Sequence, residues 1–309
     1  MVKSGVTSAQ DNDRKALAYG LCAVLLWSTV ATAFKLALRE LDVLQLLAYS
    51  VTCSTLALLA LLWRQGRLHL LSEYARSTPG YFLVMGLLNP VIYYLVLLQA
   101  YDLLPAQQAQ AINYTWAISL AVLAVPLLGH RLSQRDLLAM AMGYGGVLII
   151  ATEGRLLDMS FHSLEGAVLA VLSTLIWALY WLLSTRNQRD PVACLCLNFA
   201  VAAPLALLLC GLFSSLALPG WRALASAAYV GLFEMGLTFA LWSTALRLSS
   251  SVSRVGNLIF LAPLLSLVFI ALILGESIHP ATLVGLALIL PGVLLQQRQR
   301  PVTPVSPDQ

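Results

Sequence analysis

Glu234 is the only acidic residue near the middle of any apolar stretch in this sequence. A carboxylate at that depth in hydrocarbon costs about 2.5–3.5 kcal/mol unless it is hydrated, paired or protonated. Its place predicts either a proton- or substrate-binding group facing a cavity, or a hydrogen-bonded tether between helices. Trp27 and Trp177 also lie deep inside apolar stretches, away from the interfaces where tryptophans anchor. Tyr180 follows Trp177 by about one helical turn, and Tyr93, Trp116, Trp242 and Phe260 add rings near the middles of further stretches. Such rings either pack helices together or line a pocket that stacks on an indole or phenyl group, each aromatic pair adding about 0.5–1.5 kcal/mol beyond its buried area.

Asn89, followed by Pro90 and by Tyr93 and Tyr94, makes a polar bend in another stretch. Gln107, Gln110 and Tyr114, with Asn113 beside them, recur at helical spacing and predict a watery vestibule at one mouth. Asn198, Arg254 and Asn257 are candidates for the opposite mouth, and Lys35 and Arg39 for snorkelling at a helix end. Catalytic chemistry finds no support: there is no HExxH pair, phosphate-binding glycine loop or GxSxG elbow. No catalytic residue, cofactor or metal is therefore assigned. Cys22, Cys53, Cys194, Cys196 and Cys210 read as apolar fillers.

The elements that must hold these residues follow from composition. Of 309 residues, 60% are hydrophobic and 10% charged, whereas soluble domains carry about 25% charge. The chain reads as an all-α membrane protein with ten spans: Ala16–Phe34, Leu44–Trp63, Tyr81–Tyr101, Ala106–Leu128, Leu137–Ala151, Leu164–Leu183, Val192–Phe213, Leu224–Leu246, Val252–Leu274 and Ala281–Leu295. The fifth and tenth are short, glycine-rich and nearly devoid of polar groups, which predicts supports outside the pathway or a homodimer contact. Met1–Asp13 and Pro301–Gln309 are predicted to be polar and mobile. The first apolar stretch lacks a cleavage site and is expected to remain as an anchor.

The second half repeats the first. Gly129, Leu132, Gly146, Val147 and Leu148 fall opposite Gly275, Ile278, Gly292, Val293 and Leu294 at an offset of 146. Gly86, Leu87, Ala100 and Leu103 fall opposite Gly231, Leu232, Ala245 and Leu248 at 145, and Trp27 opposite Trp177 at 150. At 145, Asn89 corresponds to Glu234. Five spans per copy is an odd number, so the copies must be inverted relative to each other, and inverted halves can exchange conformations around a central cavity. The expected organisation is a cytoplasmic segment 1–15, a first repeat 16–152, an inverted second repeat 153–297 and a cytoplasmic tail 298–309.

At the ends of the fourth and ninth spans the chain resembles the drug/metabolite transporter superfamily, specifically its EamA-type ten-helix members, a likeness that covers essentially the whole chain. Pro263, Leu274-Gly275-Glu276, Gly285 and Gly292-Val293 carry the likeness. The first copy keeps Gly129, Leu132 and Gly146 but has His130 at the glutamate position and Ala117 at the proline position. The resemblance implies an inner-membrane carrier with a central cavity, most similar to bacterial exporters of aromatic and other neutral amino acids. Its expected partners are a small-molecule substrate and the lipid bilayer, with no nucleic acid. Cationic drugs or nucleotide derivatives are the alternative cargo, and a membrane enzyme or non-transporting scaffold is the alternative from another class. Lacking a nucleotide-binding segment, export would run on the substrate gradient or the proton-motive force.

Fourteen of the 18 Lys and Arg residues fall in the N-terminus, the C-terminus and the loops after even-numbered spans. This bias predicts both termini in the cytoplasm, the resemblance implies a bacterial inner-membrane location, and the bias accounts for the net charge of +4 without a nucleic-acid partner. A fluorescent protein fused after Gln309 is expected to be bright, and an alkaline phosphatase fused there inactive. An active phosphatase would mean that the span count or the orientation is wrong.

Overall fold

The computed structural model describes residues 2–128, 133–157, 161–185, 187–249 and 255–297, with the backbone alone for 2–11 and 296–297. Gly129, His130, Leu132, Arg254 and the tail 298–309 lie outside the described residues. Among these described residues every regular element is helical. Ten apolar helices form the bundle: α1 (Asn12–Leu38), α2 (Val43–Arg64), α3 (Pro79–Leu103), α4 (Ala106–Leu127), α5 (Gln134–Ala151), α6 (Leu164–Ser184), α7 (Pro191–Phe213), α8 (Trp221–Leu248), α9 (Asn257–Leu274) and α10 (Pro280–Leu295). All but α5 and α10 are long and apolar enough to cross a membrane. The helix of α1 is continuous back to Val2, so the segment expected to be mobile is drawn into it.

Polar caps set several boundaries. Asp42 accepts from the Gln45 amide at the start of α2, and Asp190 from the Val192 and Ala193 amides at the start of α7. Asp190 also pairs with Arg67 beyond the end of α2 and, at 3.8 Å, with Arg247 of α8.

The packing follows the repeat. Helices α2 and α7 pack on each other, as do α5 and α10; α1 packs on the second half of α8, and α6 on the second half of α3. Exchanging the two copies maps this set of pairings onto itself, as two inverted five-helix repeats require. Glycines set how closely the copies approach. A Cβ on Gly86 of α3 would lie 2.6 Å from the Asn198 carbonyl oxygen of α7, and one on the equivalent Gly231 of α8 would overlap the Ser50 carbonyl oxygen of α2. Gly146 and Gly285 do the same for α5 and α10: a Cβ on either would fall 2.7–2.8 Å from the other's carbonyl oxygen. These glycines join the two halves of one chain, while Gly145 points into open space.

The symmetry fails in one respect. The second half of α3, Tyr93–Leu103, buries Tyr93, Tyr94, Leu97, Leu98, Ala100 and Tyr101. Its counterpart in α8, Leu237–Leu248, buries only Thr238 and Ala245. Likewise α1 after a turn at Thr29, Val30–Leu38, buries Val30, Ala31, Thr32, Phe34 and Ala37, whereas the shorter end of α6 from Tyr180 to Ser184 buries Tyr180 and Leu182. The bundle is thus packed shut at the end where α1 finishes, the Lys35 end, and looser at the end where α7 begins, the Asp190 end.

Replacing Gly86 or Gly231 by valine should force backbones apart and destabilise the detergent-solubilised protein by about 1–3 kcal/mol or more, the scale of overpacking. Gly145→Val should leave the melting temperature nearly unchanged; equal loss at all three positions would remove the packing role assigned to Gly86 and Gly231.

Candidate functional site

Two helices break at equivalent depths. In α3, π-helical turns span Leu87–Ile92, with Asn89 at φ −143° and ψ 114° and Pro90 contributing no N–H. In α8, a π-helical stretch covers Val230–Glu234, and Gly236 (φ −120°, ψ −89°) ends the turn before the helix resumes at Leu237. The Thr238 hydroxyl donates across that break to the Phe233 carbonyl. Unwound backbone at mid-bundle is tolerated only where protein or a polar cavity satisfies it. Asn89 and Glu234 therefore sit where two half-helix ends meet the centre of the molecule.

Around the breaks the aromatics form one connected series. Trp177 of α6 stacks on Tyr93 of α3 (4.7 Å between ring centroids, 27° between planes) and on Tyr180 (5.6 Å, 24°). Phe239 of α8 joins Trp177 at 5.9 Å and Trp27 at 5.3 Å, and Trp27 meets Trp242 at 5.5 Å. Tyr94 continues from Tyr93 (4.8 Å) toward Phe34. The Tyr94 hydroxyl donates to Glu234 Oε1 at 3.3 Å, which fastens the carboxyl to the same series.

Of the residues expected at a site, the structure brings together Trp27, Tyr93, Trp177, Tyr180, Trp242 and Glu234, with Asn89 beside the Tyr180 hydroxyl. Trp116 and Phe260 pack against the core half-buried and make no ring pair. Asn257 is exposed at the start of α9. Tyr94 and Phe239 were missed as site residues, although the 145-residue offset that pairs Asn89 with Glu234 pairs these two as well.

Other expectations need correction. Gln107 and Gln110 do not line a wet vestibule; both are buried. Gln107 Oε1 accepts from the His279 amide (2.8 Å) and the Thr282 hydroxyl (3.0 Å), and its Nε2 donates to the Ser277 carbonyl (2.9 Å). Gln110 accepts from the Ser266 hydroxyl. Helical polar spacing here serves a joint between α4 and the α9–α10 corner. Asn198 is not at a mouth: it is 2% exposed and donates through Nδ2 to the Tyr180 hydroxyl at 3.3 Å. Lys35 does not snorkel, since its ammonium turns inward to the Tyr101 and Leu104 carbonyls.

Several buried polar atoms at or near this centre have no partner: Asn89 Oδ1, Asn198 Oδ1, Glu234 Oε2, Ser54 Oγ and the Trp181 indole Nε1. Trp181 makes an edge contact with Trp177 at 5.9 Å, and Ser54 faces Gly236 at the α8 break. Each unsatisfied group costs about 1–3 kcal/mol, so a ligand with its own donors and acceptors would find complementary atoms beside an aromatic surface. Among the described residues no His, Cys, Asp and Glu cluster could hold a metal ion, and the five cysteines are free.

The sequence pattern of the EamA-like transporter family matches residues 14–152 and again 164–296. The chain belongs to this family. Its relatives include an uncharacterised protein of Pseudomonas aeruginosa, 36% identical over 183 residues; that match covers 56% of this chain and 61% of the relative. Another, named an aromatic amino acid exporter in Ancylobacter novellus, is 25% identical over 278 residues, covering 88% of this chain and 93% of the relative. A solved crystal structure at 24% identity superposes with a TM-score of 0.65 over 92% of this chain and 98% of its own, which shows the shared fold. This EamA-like transporter is accordingly a multi-pass membrane protein whose helix breaks and aromatic series lie where its two repeats meet.

Glu234 accepts one hydrogen bond on one oxygen and none on the other. If its charge couples transport to protons, Glu234→Gln should fold and insert, keep exchange, and lose pH-dependent uphill flux in proteoliposomes. Unchanged pH dependence would reduce Glu234 to the tether of α8 to α3 through Tyr94.

Proposed function

We propose that this protein is a secondary transporter of the bacterial plasma membrane that exports small neutral metabolites, chiefly aromatic and other hydrophobic amino acids, by alternating access. The observation that carries the reading is the Tyr93–Trp177–Tyr180 stack set beside unpaired polar atoms at two broken helices. The rings offer a surface for an indole or phenyl side chain. The oxygens of Asn89, Asn198 and Glu234 suit an ammonium, while the Trp181 N–H and the Ser54 hydroxyl suit a carboxylate. The cation–ring contacts of Arg189 and Arg222 fall on Tyr74, Phe82 and Trp221, outside this aromatic series, which argues against an anionic nucleotide. The relative named as an aromatic amino acid exporter supports the same cargo.

The inverted halves and their unequal closure fit a carrier with one end open at a time. With both termini cytoplasmic, as the Lys and Arg distribution argues, the Lys35 end faces outward and the looser Asp190 end faces the cytoplasm, from which an exporter loads. A second reading, a cationic aromatic drug, has one point in its favour: the free Glu234 oxygen would pair with a fixed cation.

Proteoliposomes loaded with unlabelled phenylalanine should accumulate labelled phenylalanine by counterflow. Trp177→Ala should weaken aromatic substrates by about tenfold, the scale of one lost stacking contact, and small aliphatic ones less. Equal loss for all substrates would assign Trp177 to packing. Flux of a quaternary aromatic cation without flux of phenylalanine would favour the second reading.

A further inference from the structure

We propose that Lys35 and Glu276 form the latch of a gate at the Lys35 end of the bundle, an inference that rests on the alternating-access reading. Lys35 lies near the end of α1 and donates from Nζ to the carbonyl oxygens of Tyr101 (2.8 Å) and Leu104 (3.1 Å). These are among the last carbonyls of α3, which have no helical partner and carry the negative end of the helix dipole. Glu276 follows α9 and accepts through Oε1 from the Ala106 amide (3.1 Å), one of the unpaired donors that open α4. Its charge and that of Asp102 are the acidic ones that reach Lys35. One cation and one carboxylate thereby clamp the α3–α4 corner of the first repeat between α1 and the α9–α10 corner of the second. Beneath them Phe34 packs edge-on against Tyr101 at 5.1 Å.

The copy-exchanged positions lack this device. At the offset that pairs Trp27 with Trp177, Lys35 corresponds to Thr185, whose hydroxyl is used within its own helix by the Leu182 carbonyl (2.9 Å). At the 146 offset Glu276 corresponds to His130. The Asp190 end has ion pairs of its own, but Arg67–Asp190 joins α2 to α7, which pack on each other. Arg247–Asp190 adds the end of α8, and Arg189, just after α6, donates to the Thr78 (2.6 Å) and Ser77 (3.1 Å) hydroxyls at the start of α3. Among the described residues, a lysine and a carboxylate that bond the backbone ends of neighbouring helices occur together at the Lys35 end, the end where α1 and α3 are buried. The state closed at the Lys35 end and loose at the Asp190 end is the one this latch favours.

Ala31, one turn below Lys35 and 1% exposed, offers a reporter. The Ala31→Cys protein, in sealed membrane vesicles of either orientation, is treated with a membrane-impermeant maleimide and labelling at position 31 is read by mass spectrometry. Lys35→Met should raise labelling from the Lys35 side about tenfold, the scale of a lost charge-assisted hydrogen bond. Glu276→Gln should raise it in the same direction, and Lys35→Arg should leave it near the starting value. Unchanged labelling in folded Lys35→Met and Glu276→Gln would overturn the latch, as would an equal rise in Lys35→Arg. If Lys35→Met fails to insert, Glu276→Gln decides alone. Labelling requires no cargo, so a failed phenylalanine counterflow would remove the cargo assignment without touching this result.

Discussion

A backbone N–H or C=O facing hydrocarbon has no water to bond, so a helix that breaks in mid-membrane must be enclosed by protein or by a polar cavity. That constraint organises this molecule. The breaks of α3 at Asn89-Pro90 and of α8 at Glu234–Gly236 are sheltered because Gly86 and Gly231, a few residues earlier, let those helices lie directly against α7 and α2. The α2–α7 pair in turn brings the two repeats together. Moving either glycine contact outward would expose both the unwound turn and the polar side chain it presents.

Inversion of the repeats makes the two ends of the bundle equivalent in backbone pairing, and side chains then make them unequal. Asn89 and Glu234 occupy the same place in the two copies but only one carries a carboxyl, and that carboxyl is tied across the copies by the Tyr94 hydroxyl. Tyr94 and Phe239 are likewise equivalent, and the missing hydroxyl on Phe239 removes the reciprocal bond. The aromatic series crosses between the copies at Tyr93–Trp177, Trp27–Phe239 and Trp27–Trp242. A relative motion of the halves would act on these contacts, which links the proposed cargo surface to the proposed change of access.

Burial explains why some polar residues changed role between sequence and structure. Gln107, Gln110 and Lys35 carry groups that lipid would penalise, and the sequence allows two remedies, water or a protein partner. The α9–α10 corner supplies backbone and hydroxyl partners for the glutamines, and the end of α3 supplies carbonyls for the lysine. Those partners are about 66 to 175 residues away along the chain, too distant for helical spacing to reveal.

The sequence by itself determined the ten apolar helices, nearly to their ends, because the requirement to span hydrocarbon is written in length and hydropathy. It also determined the internal repeat, whose paired glycines and tryptophans survive at nearly constant offsets, and with it the EamA-like family. The depth of Trp27, Trp177 and Glu234 was legible for the same reason: position along a spanning helix is depth. Rotation about the helix axis was not. Tertiary structure alone decided that Trp177 stacks on Tyr93 while Trp116 and Phe260 stay apart, that Asn198 is buried while Asn257 is exposed, and that one end of the bundle is shut. Those outcomes depend on which helix faces which, and close packing settles them only when all ten helices are assembled.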